Sequence, residues 1–224
     1  MAQITARVKT LEREISRDEQ EEAHHVAPTR SNRRLERPRE QVLAATLEMV
    51  AEEGLAKVTM ASLAARLGTS GGHLLYYFGT RNGLLLETLR WSEHEYALQR
   101  APILETAAQR SANAPADVAA VVSFADVYLA LDQRDPRWLL WLELWARAPY
   151  DTELAAAQRA IDDDWHADLV RLLADALPDL SAREGVSERL RAMWDGFSIG
   201  IVTGGGTTLR RAALDHTRAM LDPA

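Results

Sequence analysis

The chain has 224 residues, with 26 Lys and Arg against 33 Asp and Glu and a formal charge of −7. That is long enough to bury a sizeable core, and a 47% hydrophobic share excludes wholesale disorder. The lack of any cysteine excludes disulfides, thiolate nucleophiles, iron–sulfur clusters and cysteine-ligated zinc. No apolar run reaches the roughly 20 residues that cross a bilayer, and the first residues lack the apolar stretch of a signal peptide, so a cytoplasmic protein with no membrane partner is expected.

The charge is unevenly spread. Residues 1–27 carry a net −2, residues 28–90 a net +3 and residues 91–224 a net −8. A mildly basic block on an acidic body suits a protein that meets a polyanion through one end. Residues 1–37 read as an N-terminal extension, partly disordered, with a short seam of Ile4, Val8, Leu11 and Ile15 too brief for a stable isolated helix. A basic arm follows over residues 30–39, with Arg30, Arg33, Arg34, Arg37 and Arg39. Such an arm lies along a phosphate backbone or enters a narrow minor groove, and a solvated linker has the same composition.

From Pro38 onwards every segment has helical periodicity, and none reads as strand. A helix from Pro38 to Gly54 presents Val42, Leu43, Ala45, Thr46, Met49 and Val50 to a core. Thr59 is placed to cap a short helix ending at Leu67, and Gly68 permits the sharp turn after it. Ser70 caps the next helix, Gly-Gly-His-Leu-Leu-Tyr-Tyr-Phe, to residue 78. Helix, tight glycine turn and short aromatic-ended helix are the ingredients of a helix-turn-helix, whose second helix enters a major groove about 12 Å wide. Gly79-Thr80 ends that helix and opens a longer one towards Arg100.

These residues resemble a known family. Ala-Ala-Thr-Leu (44–47), Glu-Glu-Gly (52–54), Val-Thr-Met-Ala-Ser-Leu-Ala (58–64), Leu-Gly-Thr-Ser (67–70) and Leu-Leu-Tyr-Tyr-Phe-Gly-Thr-Arg-Asn-Gly-Leu-Leu (74–85) are similar to the N-terminal domain of the tetracycline-repressor (TetR) family. The resemblance implies a homodimer on a palindromic double-stranded operator, released when a small ligand enters the C-terminal domain. It also implies residue roles. Thr59 takes the place of a threonine on a phosphate oxygen, and Arg81 that of a phosphate-bound lysine; Arg37 and Arg39 are read as further backbone contacts from the charge of the arm and not from the resemblance. Thr69, Ser70, Gly71, Gly72 and His73 open the recognition helix, and Tyr76 and Tyr77 fall in its aromatic run. Leu75 replaces the family's usual tyrosine, and Gly71-Gly72 offers no side chain at two reading positions. Base readout is then sparse and DNA shape counts for more.

Beyond Arg100, Pro102, Pro115, Pro136, Pro149, Pro178 and Gly185 divide the chain into pieces near 103–111, 116–134, 136–148, 151–177, 187–203 and 207–221, with a flexible glycine break at 204–206. The predicted fold is therefore all-α, with about nine helices: a three-helix DNA-binding domain over 38–90 and a ligand-binding and dimerisation domain over 91–224. Trp138, Trp141 and Trp145 share one helix face. Phe124, Tyr128, Trp165, Trp194 and Phe197 converge on them to make either a packed core or an aromatic pocket for an apolar or cationic effector, with Glu143 near a cation. The Leu-Trp-Leu-Glu-Leu-Trp segment (140–145) and Asp195-Gly196 are similar to the choline-responsive subgroup of the family. By the same resemblance two long helices form the dimer interface, with Leu169, Leu172 and Leu173 on one and Leu190, Met193 and Ile201 on the other; packing within one chain would use the same faces.

No enzyme signature accompanies these features. Glu-x-x-His occurs twice in Glu21-Glu22-Ala-His24-His25 without the second helix that a di-iron site needs, and Asp162 and His166 read as an exposed acidic face. No nucleophile elbow, Walker loop or dinucleotide-binding glycine pattern is present. The expected protein is a one-component transcriptional regulator with no cofactor. The rival reading is a helical small-molecule or partner-binding protein that has lost specific DNA recognition.

Overall fold

In the computed structural model, residues 39–109, 118–174, 177 and 179–221 are described, and all of them lie in one unit spanning Arg37–Ala224. The readings of residues 1–38, including Arg37, the short apolar seam and the Glu-x-x-His pairs, lie outside the described residues. Among the described residues the regular structure is all helical, joined by short turns, with no strand. The helices are α1 (Arg39–Glu53), α2 (Met60–Leu67), α3 (Gly71–Phe78), α4 (Arg81–Ala108), α5 (Val118–Tyr128), α6 (Pro136–Arg147), α7 (Thr152–Leu172), α8 (Leu180–Gly200) and α9 (Gly206–Leu221).

All six residues expected on the inner face of α1 are buried. They help form a core that continues past residue 90: Met49, Val50, Val58, Leu85, Leu86 and Leu89 belong to the same apolar cluster as Phe124, Trp138, Trp165 and Trp194. The continuity has a simple cause. α4 starts beside α3 and runs unbroken to Ala108, about 42 Å at 1.5 Å per residue, so it serves both halves.

Several boundaries differ from the sequence expectation, each for a local reason. Pro102 does not end α4. It removes one backbone bond, to the carbonyl of Leu98, on a stretch where Leu98 stands 57% exposed and solvent replaces the lost donor. α5 stops at Tyr128 and not near 134, because side chains take over its end. Arg210 of α9 donates to the carbonyls of Asp126, Leu129 and Ala130, while Ser198 Oγ accepts from the Ala130 amide. α7 ends at Leu172. α8 starts at Leu180 and not after Gly185, since Asp179 caps it by accepting from the Ala182 amide at 2.7 Å and Gly185 is carried inside the helix. The glycines at 204–206 do interrupt the chain between α8 and α9, with Gly204 at φ 139° and Gly206 at φ 57°.

The leucines expected to face a second subunit turn inward instead. Leu169, Leu172, Leu173, Leu190 and Ile201 are buried within the single chain, and Met193 is partly buried against the same core. The apolar faces of α7 and α8 close on each other and on α5, which is the intramolecular packing that the sequence could not distinguish from a dimer seam.

Candidate nucleic-acid interface and effector-domain core

Local caps build the α2–α3 pair. Thr59 Oγ1 accepts from the Ser62 amide at 3.0 Å and Ser62 Oγ accepts from the Thr59 amide at 2.9 Å, a reciprocal box that fixes the start of α2. Ser62 Oγ also reaches the Lys57 carbonyl at 2.8 Å. Gly68 ends α2 in the left-handed region, φ 66° and ψ 35°, where a side chain would be strained. Ser70 Oγ then accepts from the His73 amide at 3.1 Å and starts α3. Thr80 Oγ1 accepts from the Gly83 amide at 3.0 Å and starts α4. Each helix of the motif is thus aimed by one hydroxyl and one glycine.

α3 has two faces. Leu74 and Phe78 are buried, while Leu75 and Tyr76 are 46% and 62% exposed and Gly72 is exposed beside them. The outward surface is therefore apolar and aromatic, suited to thymine methyl groups and sugar edges more than to a donor–acceptor code. His73 does not join it. Its Nδ1 lies 3.4 Å from Thr69 Oγ1, its ring lies 5.2 Å from that of Tyr77, and its Nε2 is enclosed without a hydrogen-bond partner among the described residues. Tyr77 OH is enclosed likewise. We therefore expect Tyr76→Ala to weaken operator binding about tenfold or more, while His73→Ala acts first on stability. Titrating both variants on one operator fragment checks this; equal affinities for Tyr76→Ala and the parent would place the reading face elsewhere.

Arg81, which the family pattern assigns to phosphate, and Arg39 of the basic arm both make contacts within the chain, Arg39 with half of its side chain still exposed. Arg81 Nε donates to the Val58 carbonyl at 2.6 Å and its Nη2 to the Leu55 carbonyl at 2.8 Å, with Nη1 3.8 Å from Glu143. Arg39 Nε donates to Glu87 at 2.9 Å, and its guanidinium lies 4.9 Å from the Phe78 ring. Glu143, expected beside a cationic effector, sits outside the aromatic core and pairs with Arg147, which also donates to Asn82. The first residues of α4 are thereby joined to the last turn of α6.

The aromatic residues read as either core or pocket wall are packed into the core cluster. Phe124, Tyr128, Trp138, Trp141, Trp165 and Trp194 are buried, and Trp145 and Phe197 pack partly buried against them. Their rings meet edge to face, as in Tyr128–Trp165 at 4.9 Å and 82° and Phe124–Trp165 at 5.2 Å and 75°. The carboxylate at their centre is Glu93 of α4, 6% exposed, with Arg137 of α6 at 2%. Arg137 Nε donates to Glu93 at 2.6 Å, and the indole nitrogens of Trp141 and Trp165 donate to it at 2.8 and 2.9 Å. Burial pushes the Glu93 carboxyl up, but the Arg137 charge and these hydrogen bonds outweigh it and leave it below the ordinary carboxylate range. Sequence reasoning missed both partners: Trp91-Ser-Glu-His-Glu and Pro136-Arg137 look like solvated stretches. The available signal was that Glu93 and Tyr96, one turn apart, share a helix face that also carries Leu89 and Arg100.

Elsewhere in the core Tyr128 OH donates to Asp195 at 2.6 Å, and burial, followed by the Asp195 charge, raises the Tyr128 hydroxyl. Asp162 pairs with Arg191 at 3.1 Å and His166 Nδ1 meets Ser187 Oγ at 2.9 Å, so neither stands free on an acidic face.

A capped helix-turn-helix with an exposed reading helix, carried by a long helix into a helical body, defines a DNA-binding transcriptional regulator. Residues 42–88 match the family described as bacterial regulatory proteins, tetR family, and residues 117–223 match the BetI-type transcriptional repressor C-terminal family. The chain belongs to the TetR family of transcriptional regulators. It is similar to the HTH-type transcriptional regulator BetI of Burkholderia cenocepacia strain J2315, 31% identical over 190 residues that cover 82% of this chain and 92% of the relative. The BetI of Burkholderia lata is 30% identical over the same shares. Among solved structures, a regulator from Saccharomonospora viridis crystallised with choline superposes with a TM-score of 0.64 at 22% identity, over 82% of this chain and 92% of that one. A regulator from Rhodococcus sp. Rha1 superposes with a TM-score of 0.68 at 20% identity, over 83% and 96%.

Proposed function

We propose that the chain is a homodimeric repressor that binds a palindromic operator through α2 and α3 and is released by a small-molecule effector of the C-terminal body. The observation that carries this reading is the exposed Gly72, Leu75 and Tyr76 surface of a recognition helix capped at both ends, joined by one continuous helix to the effector-domain core. In the DNA-bound dimer the two copies of α3 would lie about 34 Å apart, one turn of duplex. An effector that favours a dimer with misaligned reading helices lowers operator affinity by its differential affinity for the two states. Thr59 and the amides at the start of α2 would hold a phosphate, the arm around Arg37 a neighbouring stretch of backbone, and no catalytic step is involved. Small organic molecules are the class to screen for the effector.

Selection of bound fragments from genomic DNA at two salt concentrations tests this. Enrichment of a palindrome that fades at the higher salt supports it, since phosphate contacts release counterions. Absence of any enriched sequence at both salts, with and without candidate effectors, would refute it. Arg81→Ala refines the picture. Losing two charge-assisted bonds to the Leu55 and Val58 carbonyls should lower stability by about 1–3 kcal/mol, read by urea unfolding. If Arg81 also swings out to a phosphate, the salt slope of binding flattens by about one unit as well.

A further inference from the structure

The centre of the aromatic core already contains a cation. The Arg137 guanidinium carbon lies 4.2 Å from the centre of the Tyr96 ring, 5.2 Å from Trp165 and 5.8 Å from both Tyr128 and Trp138. Glu93 closes the arrangement, meeting Nε at 2.6 Å and Nη2 at 3.3 Å, while Nη1 donates to the Tyr128 carbonyl at 2.8 Å. Several aromatic faces and one carboxylate around a positive charge is how proteins hold quaternary ammonium ligands. In this chain the charge arrives on a side chain.

Its placement is built in and not incidental. Arg137 is the second residue of α6, directly after Pro136, and the helix start is pinned by the buried Asp135, which accepts from the Arg137 amide at 3.0 Å, the Trp138 amide at 3.2 Å and the Leu131 amide at 2.8 Å. Glu93 is fixed in turn by the two indoles. Arg100, paired with Asp168, already lies over the Trp165 ring at 4.1 Å. A further cation entering the cage would therefore either share Glu93 with Arg137 or displace a guanidinium that is 2% exposed.

We propose that Arg137 is the resident ligand of this cage and the residue that closes it to quaternary ammonium effectors, so that small cations of the choline type do not bind at the Glu93–Tyr96–Trp165 centre. The inference rests on the reading of residues beyond α4 as an effector domain, but not on operator binding, and its test uses no DNA. Failure to bind DNA would leave it intact, and its own failure would leave the operator reading intact.

The test compares the parent protein with Arg137→Ala, using choline, tetramethylammonium and methylguanidinium at millimolar concentration, by tryptophan fluorescence and thermal unfolding. The parent should show no saturable response to any of the three. Arg137→Ala should melt lower and regain several degrees with methylguanidinium, with an affinity at least about tenfold above that of the parent. Should Arg137→Ala fail to fold alone, refolding with and without methylguanidinium becomes the readout, and the cation should raise the yield of folded protein. Saturable choline binding to the parent that disappears in Trp165→Leu would overturn the proposal. So would a methylguanidinium response no greater in Arg137→Ala than in the parent.

Discussion

Glu93→Gln should lower the unfolding free energy by about 3–5 kcal/mol, the range for removing one partner of a buried ion pair. The amide keeps the volume but has a single acceptor oxygen, so it can still accept from only one of the two indoles, which in the parent donate to different oxygens of Glu93. The loss combines the charge with one broken hydrogen bond. What remains is Arg137, 2% exposed and facing aromatic rings, with its hydrogen-bonded carboxylate gone. The double variant Glu93→Gln/Arg137→Met should recover more than half of the loss, because the lone charge goes with the second substitution. A pH series adds a signature. Since the folded-state pKa of Glu93 is lowered, its contribution is present above the unfolded carboxylate value and is lost as pH falls through the lowered folded value. The parent should therefore lose stability into acid more steeply than Glu93→Gln. Urea unfolding at several pH values reads both effects, and a loss below about 1 kcal/mol would mean that the pair behaves as a solvated one.

The second large effect is expected at Gly83. A Cβ there would stand 2.4 Å from the Phe78 carbonyl oxygen, a backbone atom that no rotamer change can move away. Gly83→Ala must push the end of α3 from the start of α4, at the point where Thr80 aims the long helix. We expect about 1–3 kcal/mol of lost stability and at least tenfold weaker operator binding, because α3 is displaced relative to α2. Gly72→Ala is the matched control. Nothing lies within 4 Å of its Cβ position and it sits in the first turn of α3, so replacing a helical glycine should be neutral or stabilising by up to about 1 kcal/mol. Its methyl would act only on base preference. Unfolding and binding measured together separate the two variants, and equal behaviour would show that the α3–α4 junction tolerates movement.

What could be read in the chain beforehand was what depends on neighbours a few residues away. Thr59, Gly68, Ser70 and Thr80 cap or turn helices as their residue types dictate, and the buried face of α1 follows from its period. That Leu74 and Phe78 of α3 turn inward while Leu75 and Tyr76 stay exposed follows from the same period. What could not be read depends on contacts between distant segments. Trp138, Trp141 and Trp145 announce an apolar face, but whether a cavity or a side chain fills the space before it is decided by Glu93, 44 residues from Arg137 in sequence. An arginine after a proline and a glutamate between serine and histidine carry no local mark of burial. The inward turn of Leu169 and Leu190 is likewise a choice between two partners for one apolar face, and periodicity is blind to which partner wins. At Arg81 the family pattern suggests an outward cation, whereas the carbonyls of Leu55 and Val58 lie within its reach once the fold has formed.

α4 has one more consequence. Its first residue anchors the turn before α2, and twelve positions further along the same helix Glu93 is locked to Arg137 and two indoles. The span between them is about 18 Å at 1.5 Å per residue. A stiff rod held at Glu93 acts as a lever: a tilt of only about 5° carries the Arg81 end by roughly 1.6 Å over that arm. Two such rods tilting symmetrically in a dimer would double the change between reading heads, so a repacking of the core too small to alter any single contact greatly could still put the second head out of step with the groove.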